Sequence, residues 1–458
     1  MHASLVLVGA LAALLQTPAS SDQQLAHDVL KQLVEIDTTT DTVGTERAAN
    51  AIEQRLLAAG FARDDVKVMG PDAKHSNVYI RLRGRSSDKP IVLMAHLDVV
   101  PARPEDWSVP PFTFTERDGY FYGRGVSDDK QGDANIVTNM IRWKRDGVVP
   151  AHDVIAILTS DEETGGTTIR WMLEHVPALR TADLALNADS GAGDLVNGKR
   201  TVLNLQVSEK IYADYRFTVT DKGGHSSRPR NADNPIYRLS KALEQLAAYQ
   251  FPVELNDATR TYFERDAALR SPEVGADMKA VAAGTASPEA LARLSADPQF
   301  NALMRTTCVA TMIEGGHAPN ALPQRASVNV NCRIRPQDTP ADVQQQLEAF
   351  FKPANAELQI ATAPKESPAS PLRPDVLKAV EQAAATHFPG AIVLPEMETG
   401  ATDGLYVRNA GVPVYGIKAE FDDPADSRAH GRDERLPAKS YYDAVEFWHD
   451  LVPMLAGR

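Results

Sequence analysis

The stretch Ile91–Pro101, IVLMAHLDVVP, decides how this chain is read. Five apolar residues, Ile91 to Ala95, run into His96; Asp98 follows after one more apolar residue, and Pro101 ends the run. A continuous apolar run belongs to a strand with both faces covered, as in a parallel sheet. A buried strand is expected to stay apolar to its end, so the polar groups here sit at a sheet edge. Residues two apart in an extended chain share a side, which puts His96 and Asp98 on the same side of that end.

The pattern recurs on either side. HDVIAILTS (152–160) runs into DEETGG, and TADLALNADSG (181–191) repeats the arrangement of an apolar run followed by carboxylates. Helical spacing of apolar residues precedes them at 21–36 and 45–60 and lies between them from about Gly132 to Arg145. Alternating strands and helices, with polar residues gathered after strand C-termini, predict an α/β fold with a mostly parallel sheet flanked by helices. From about Ile211 the order becomes strand, helix, two strands, helix, strand, which predicts an inserted α+β sandwich serving as a lid or dimerisation domain. The expected boundaries are 1–20 for a signal peptide, 21–210 for the first part of the α/β domain, 211–365 for the insertion, and 366–458 for the second part. An Ala-rich helical segment is expected within the insertion at about 251–305.

Charge narrows the partners. The chain has 61 acidic and 48 basic residues, a net charge of -13, and no long single-sign block. Nucleic acid is excluded as a partner, because neutralising phosphates needs clustered Lys and Arg. The 11 residues from Leu5 to Leu15 are apolar and precede Pro18, Ala19 and Ser20. They read as a secretory signal cleaved near Ala19, with a buried first helix or a short membrane anchor as alternatives; a run so short cannot span a bilayer. An exported, periplasmic or secreted protein without stable membrane insertion is expected. Cys308 and Cys332 lie in two strand-like runs joined by a short loop, so they are either a disulfide or two buried free thiols.

Five clusters stand at predicted strand ends or in neighbouring loops: His96 with Asp98, Asp128 with Asp129, Glu162 with Glu163, Asp189, and His430. If they converge, crowded carboxylates are destabilising unless protonated or bound to cations. A nitrogen and oxygen donor set without a usable thiolate suits two divalent cations, Zn²⁺ first, with Co²⁺ or Mn²⁺ as alternatives.

The segments MAHLDVVP, YGRGVSDDKQG, TSDEETGG, NADSG, GGHSSRP and AHGRDERLP, in this order, resemble the di-zinc peptidase and amidohydrolase family. That family, peptidase family M20, includes aminoacylase, carboxypeptidase S, glutamate carboxypeptidase and succinyl-diaminopimelate desuccinylase. The resemblance runs from about Gln24 to Leu455 and is greatest to the carboxypeptidase S branch. It implies that His96 and Asp189 hold one metal, Glu163 and His430 the other, and that Asp128 bridges both. It further implies a cis peptide between Asp128 and Asp129, and Asp98 as the group that orients the His96 imidazole. Glu162 takes the place of the general base, which accepts a proton from the attacking water and hands it to the leaving amine. His225 takes the place of an oxyanion-stabilising histidine, delivered by the partner subunit in dimeric relatives; a turn histidine is the plainer alternative. Asn320 and Arg333 match substrate-binding positions, with Arg333 preferred over Arg335 as the carboxylate clamp. Gly400, Ala401 and Thr402 are expected to offer backbone donors.

His317 and Ala318 depart from the pattern, which bears on the polarity of the substrate pocket. The activity so implied is hydrolysis of an amide next to a free carboxylate, in a small peptide or an N-acyl amino acid, by a chain that dimerises through its insertion. The readings that compete with it are a dipeptidase or aminopeptidase of the same family and a catalytically retired binding or scaffold protein.

Overall fold

The computed structural model of the chain describes residues 20–40 and 42–457. Of the expected signal only Ser20 is described; it caps the helix Ser21–Val34 through a bond from the Gln23 N–H. Among the described residues no helix is long and apolar enough to cross a membrane.

The run that opened the sequence reading is the strand Ser86–His96, buried without interruption from Pro90 onward. It pairs in parallel with His152–Thr159 on one side and Leu184–Asn187 on the other. Successive side chains go to opposite faces. Ile91, Leu93 and Ala95 join the helices Ser21–Val34, Glu46–Ala58, Lys130–Arg145, Pro374–His387 and Ala438–Leu455. Val92 and Met94 pack on Thr167–His175 and Gly404–Asn409. Both faces being covered by helices is why the strand reads as all apolar rather than alternating.

After the insertion the chain re-enters the sheet at Ile392–Glu398 and again at Val414–Gly416, the latter parallel to Leu184–Asn187. The ten-stranded sheet also holds a strand the sequence reading passed over, Lys199–Glu209. It pairs in parallel with Ile392–Glu398 and antiparallel with Gly193–Val196. Its signal is masked because Gln206, Ser208 and Glu209 are fully buried polar residues that break the apolar run.

The inserted body is a four-stranded antiparallel sheet in the order Thr307–Gly315, Arg325–Ile334, Ile211–Thr220, Glu357–Thr362. Helices Pro235–Ala248 and Pro340–Phe351 cover one face over a core of Tyr215, Phe217, Val330 and Leu347. The helical segment has four helices, Asp257–Asp266, Pro272–Ala282, Pro288–Ser295 and Pro298–Met304. Each starts at a side-chain cap, Asn256, Ser271, Ser287 or Asp297. Although it lies inside the insertion in sequence, it packs Tyr262, Phe263, Met278 and Met304 onto Val202, Leu394 and Met397 of the large sheet. It therefore covers the large sheet, and this part of the expected domain division is corrected.

Cys308 and Cys332 are directly opposite in the register of two neighbouring strands and are joined by a disulfide. The alternative of two free thiols is thereby removed. A bridge between residues 24 apart restricts the unfolded chain and stabilises the fold by about 3 kcal/mol.

Candidate metal centre

Parallel strands bring their C-terminal ends to one edge, and the carboxylates and imidazoles collect there. His96 ends its strand, Glu162 and Glu163 follow Thr159, and Asp189 follows Asn187. Asp128 sits just ahead of the helix Lys130–Arg145, and His430 comes from the loop before Arg435–Pro437.

His96 Nε2 is 3.2 Å from Asp128 Oδ1 and 3.6 Å from Asp189 Oδ1. His430 Nε2 is 3.1 Å from Asp128 Oδ2 and 3.0 Å from Glu163 Oε1. Two triads result, His96–Asp128–Asp189 and Asp128–Glu163–His430, each with its donor atoms within 4.8 Å of one another. Asp128 gives one oxygen to each. The peptide joining it to Asp129 is cis.

The orienting contacts differ from the expectation for Asp98. His96 Nδ1 is 3.0 Å from the backbone carbonyl of Asp98, while the Asp98 carboxylate lies farther off, at 3.6 Å. The carbonyl sets the ring, turning Nε2 toward the triad. The carboxylate instead accepts from the Thr40 hydroxyl at 2.9 Å, the Glu162 N–H at 3.2 Å and the Glu163 N–H at 3.1 Å. Asp98 thus fixes the backbone that carries Glu162 and Glu163.

The electrostatics is that of a site short of positive charge. Burial opposes charging His96, but Asp128, Asp189 and Asp98 outweigh it and raise the imidazole well above its ordinary range. Asp128 and Glu163 hold His430 protonated up to about 10. Burial and the nearby Asp189 push Asp129 and Glu162 well above the usual carboxylate range. Burial acts against Asp128 as well, yet His430 and His96 hold it well below. Protons on imidazoles and carboxylates therefore do the neutralising that cations would do. Two imidazole nitrogens with carboxylate oxygens fit a borderline or hard divalent ion, and the only cysteines are bridged elsewhere. The residues present fit a pair of divalent cations.

Lys418 is a participant the sequence reading missed. Burial is outweighed by Asp128, Asp129 and Glu420, which raise its ammonium, and its Nζ donates to the Ser127 carbonyl. The signal was available: Lys418 breaks the apolar run VPVYGI, just as His96 breaks its own.

A cavity of about 170 Å³ adjoins the triads, lined by Glu162, Lys210, Tyr212, Lys365, Thr402 and Tyr406 among others. Lys210 is pushed down to about 7, chiefly by burial, and donates to the Arg305 carbonyl at 2.8 Å. Lys210 and Lys365 come from the crossings between the two bodies, and Tyr212 from the outward-facing side of the strand Ile211–Thr220. Ala401 and Thr402 also line the cavity. The expectation for Gly400 is corrected: its N–H donates to Glu398 at 3.3 Å and is not offered to the cavity. The Thr402 hydroxyl donates to the buried Glu209.

Arg333 donates to the Thr399 carbonyl at 3.0 Å and lies over the Tyr212 ring, at the rim of this space. Arg335 is buried and held by Asp338 and Glu254, which removes it as a clamp. His225 and Asn320 stand together on the short ladder Gly224–His225 with Ala321–Leu322, where the Ser226 N–H donates to the Asn320 carbonyl. Both are exposed, and the His225 ring bonds Ser227, not the triads.

Comparison with known proteins places this geometry. Human N-fatty-acyl-amino acid synthase/hydrolase PM20D1 is 28% identical over 390 residues, 83% of this chain and 76% of that protein. Among solved structures, an M20 family metallo-carboxypeptidase from Sulfolobus solfataricus shares the fold with a TM-score of 0.70 at 19% identity, covering 94% of this chain and 99% of that one. A Bacillus subtilis protein described as a dinuclear metal binding peptidase from the M20 family does so with a TM-score of 0.61 at 13% identity, covering 95% and 99%. The family model for peptidase family M20/M25/M40 matches residues 92–453, a span that contains every residue of both triads, and the chain belongs to that family.

Proposed function

We propose that the protein hydrolyses an amide bond next to a free carboxylate, releasing a C-terminal amino acid from a short peptide or an N-acyl amino acid. The observation that carries this reading is Glu162, which belongs to neither triad yet lines the cavity beside them. His96, Asp128 and Asp189 would hold one divalent cation and Asp128, Glu163 and His430 another, Zn²⁺ being the first choice for this donor set; when bound, the pair acidifies water and polarises the scissile carbonyl.

The Glu162 carboxylate accepts the proton of the attacking water and returns it to the leaving nitrogen. Arg333 receives the free carboxylate in its planar fork. A catalytically retired binding protein is disfavoured because no donor of either triad has been replaced. The test compares an N-acyl amino acid and a dipeptide with their C-terminal amides. The acids are expected to be far better substrates, and Arg333→Met is expected to lower kcat/KM on acids about 100-fold while leaving the amides unaffected. Equal rates on acids and amides in the natural protein would remove the clamp.

We further infer a two-fold dimer through the insertion. Thr307–Gly315 is an edge strand on which Val309, Met312 and Ile313 are each about 60% exposed, and Ile236 packs beside it at Gly315. An exposed apolar edge invites pairing with a second copy. The Ser227 N–H donates to His225 Nδ1, so Nε2 carries the proton of the neutral ring and is free to donate to a developing oxyanion. Met312→Lys combined with Ile313→Lys is expected to yield a monomer by sedimentation, with kcat about 100-fold lower. A fully active monomer of the natural chain would end this reading.

A further inference from the structure

Two residues of the quoted segments, Arg124 in YGRGVSDDKQG and Glu434 in AHGRDERLP, have no role in the chemistry above. They form a buried ion pair, Arg124 Nη1 donating to Glu434 Oε2 at 2.6 Å, with side chains only 3% and 0% exposed. Each partner also grips backbone next to a candidate ligand. Arg124 Nη2 donates to the carbonyls of His430 and Gly431, at 3.3 and 3.1 Å. Glu434 accepts from the N–H groups of Gly125 and Ser127, at 3.0 and 2.8 Å, directly before Asp128. The His430 backbone has φ of 61°, a left-handed state that a residue with a side chain keeps only where its surroundings impose it.

We propose that Arg124 and Glu434 are a positioning pair that locks the His430 loop to the Asp128 loop and so sets the second cation position, Asp128–Glu163–His430. The proposal rests on the two-cation reading. It follows from the fork geometry: one guanidinium holds a carboxylate on Nη1 and two carbonyls on Nη2 in a fixed planar spread, which the single nitrogen of an ammonium does not reproduce. Of the second triad, two ligands, Asp128 and His430, hang on this pair; of the first, only Asp128 does. Loosening it therefore weakens the second position selectively.

The test is a Co²⁺ titration of metal-free protein, followed by absorption and calorimetry, on the natural chain, Glu434→Gln and Arg124→Lys. Both variants are expected to bind the first ion within about threefold of the natural affinity and the second at least about 30-fold more weakly. Arg124→Lys keeps a positive charge opposite Glu434, so it decides the matter if Glu434→Gln does not fold. Hydrogen exchange of segment 428–434 in the metal-free variants is expected to rise without change in the helix Ala438–Leu455. Unchanged second-ion affinity, or equal loss at both positions, overturns the proposal. A natural chain that fails to bind two ions sinks the two-cation reading instead, while the exchange measurement still tests whether the pair holds the loop.

Discussion

Replacing Glu162 by glutamine is expected to lower kcat by about a thousandfold while both cations stay bound. The expectation separates two neighbours in sequence. Glu163 contributes an oxygen 3.0 Å from His430 Nε2, whereas Glu162 faces the cavity and belongs to neither triad. Both backbones are pinned by the Asp98 carboxylate, so the amide variant keeps the loop where it was. Glutamine matches the shape of glutamate but has no basic oxygen, so the lost quantity is proton transfer alone. A positioned acid or base contributes about 10² to 10⁴ in rate. In the metal-free fold burial and Asp189 together raise the Glu162 carboxyl above the usual carboxylate range. The check is steady-state turnover beside metal analysis of the same sample. A variant that turns over normally ends the assignment of the base, and one that loses metal shows Glu162 to be a ligand.

How much of this was legible in sequence depended on whether a residue's neighbours were local. The parallel sheet and its polar edge could be read because a doubly covered strand has to be apolar until it meets solvent or chemistry, as Ser86–His96 does. The strand Lys199–Glu209 was not legible, because Gln206, Ser208 and Glu209 are buried polar residues that break its apolar run, and the groups that bond Glu209, Thr402 and Ser367, are distant in the chain. The register that bridges Cys308 to Cys332 is a property of two strands together, so neither sequence segment could choose between disulfide and thiols. The same holds for Arg333 and Arg335, which flank the last residue, Ile334, of one strand. Only the location of Asp338 and Glu254 decides which guanidinium is already occupied. For Asp98 the residue was singled out, but its carbonyl and carboxylate divide the work in a way that spacing alone does not reveal.

Stripping the cations is expected to abolish turnover and to make the fold sensitive to alkaline pH. Two ions that bind only the folded chain each stabilise it by about 4 kcal/mol at a thousandfold excess over Kd, so chelation should lower the melting temperature by many degrees. What remains is a cluster held together by protons. In the unfolded chain an imidazole titrates near 6.5, whereas His430 in the metal-free fold does so at about 10, with Asp128 and Glu163 as the cause. A group whose folded value is raised contributes its full stabilisation below the unfolded value and loses it as pH climbs through the folded one. His96, raised in the same direction by Asp128, Asp189 and Asp98 against the effect of burial, adds to the loss. Asp129 and Glu162, raised chiefly by burial, have the same sign, since each proton surrendered leaves another uncompensated carboxylate. Asp128, held low, acts only in acid and does not oppose the trend above neutrality. The metal-free protein should therefore melt at progressively lower temperature from pH 6.5 to 10, while the loaded protein, with cations in place of protons, should change little over that window. Thermal unfolding of both forms across the range is the measurement. Parallel curves would mean that the two histidines are not charged by their carboxylate neighbours, and the crowding that calls for cations would then be absent.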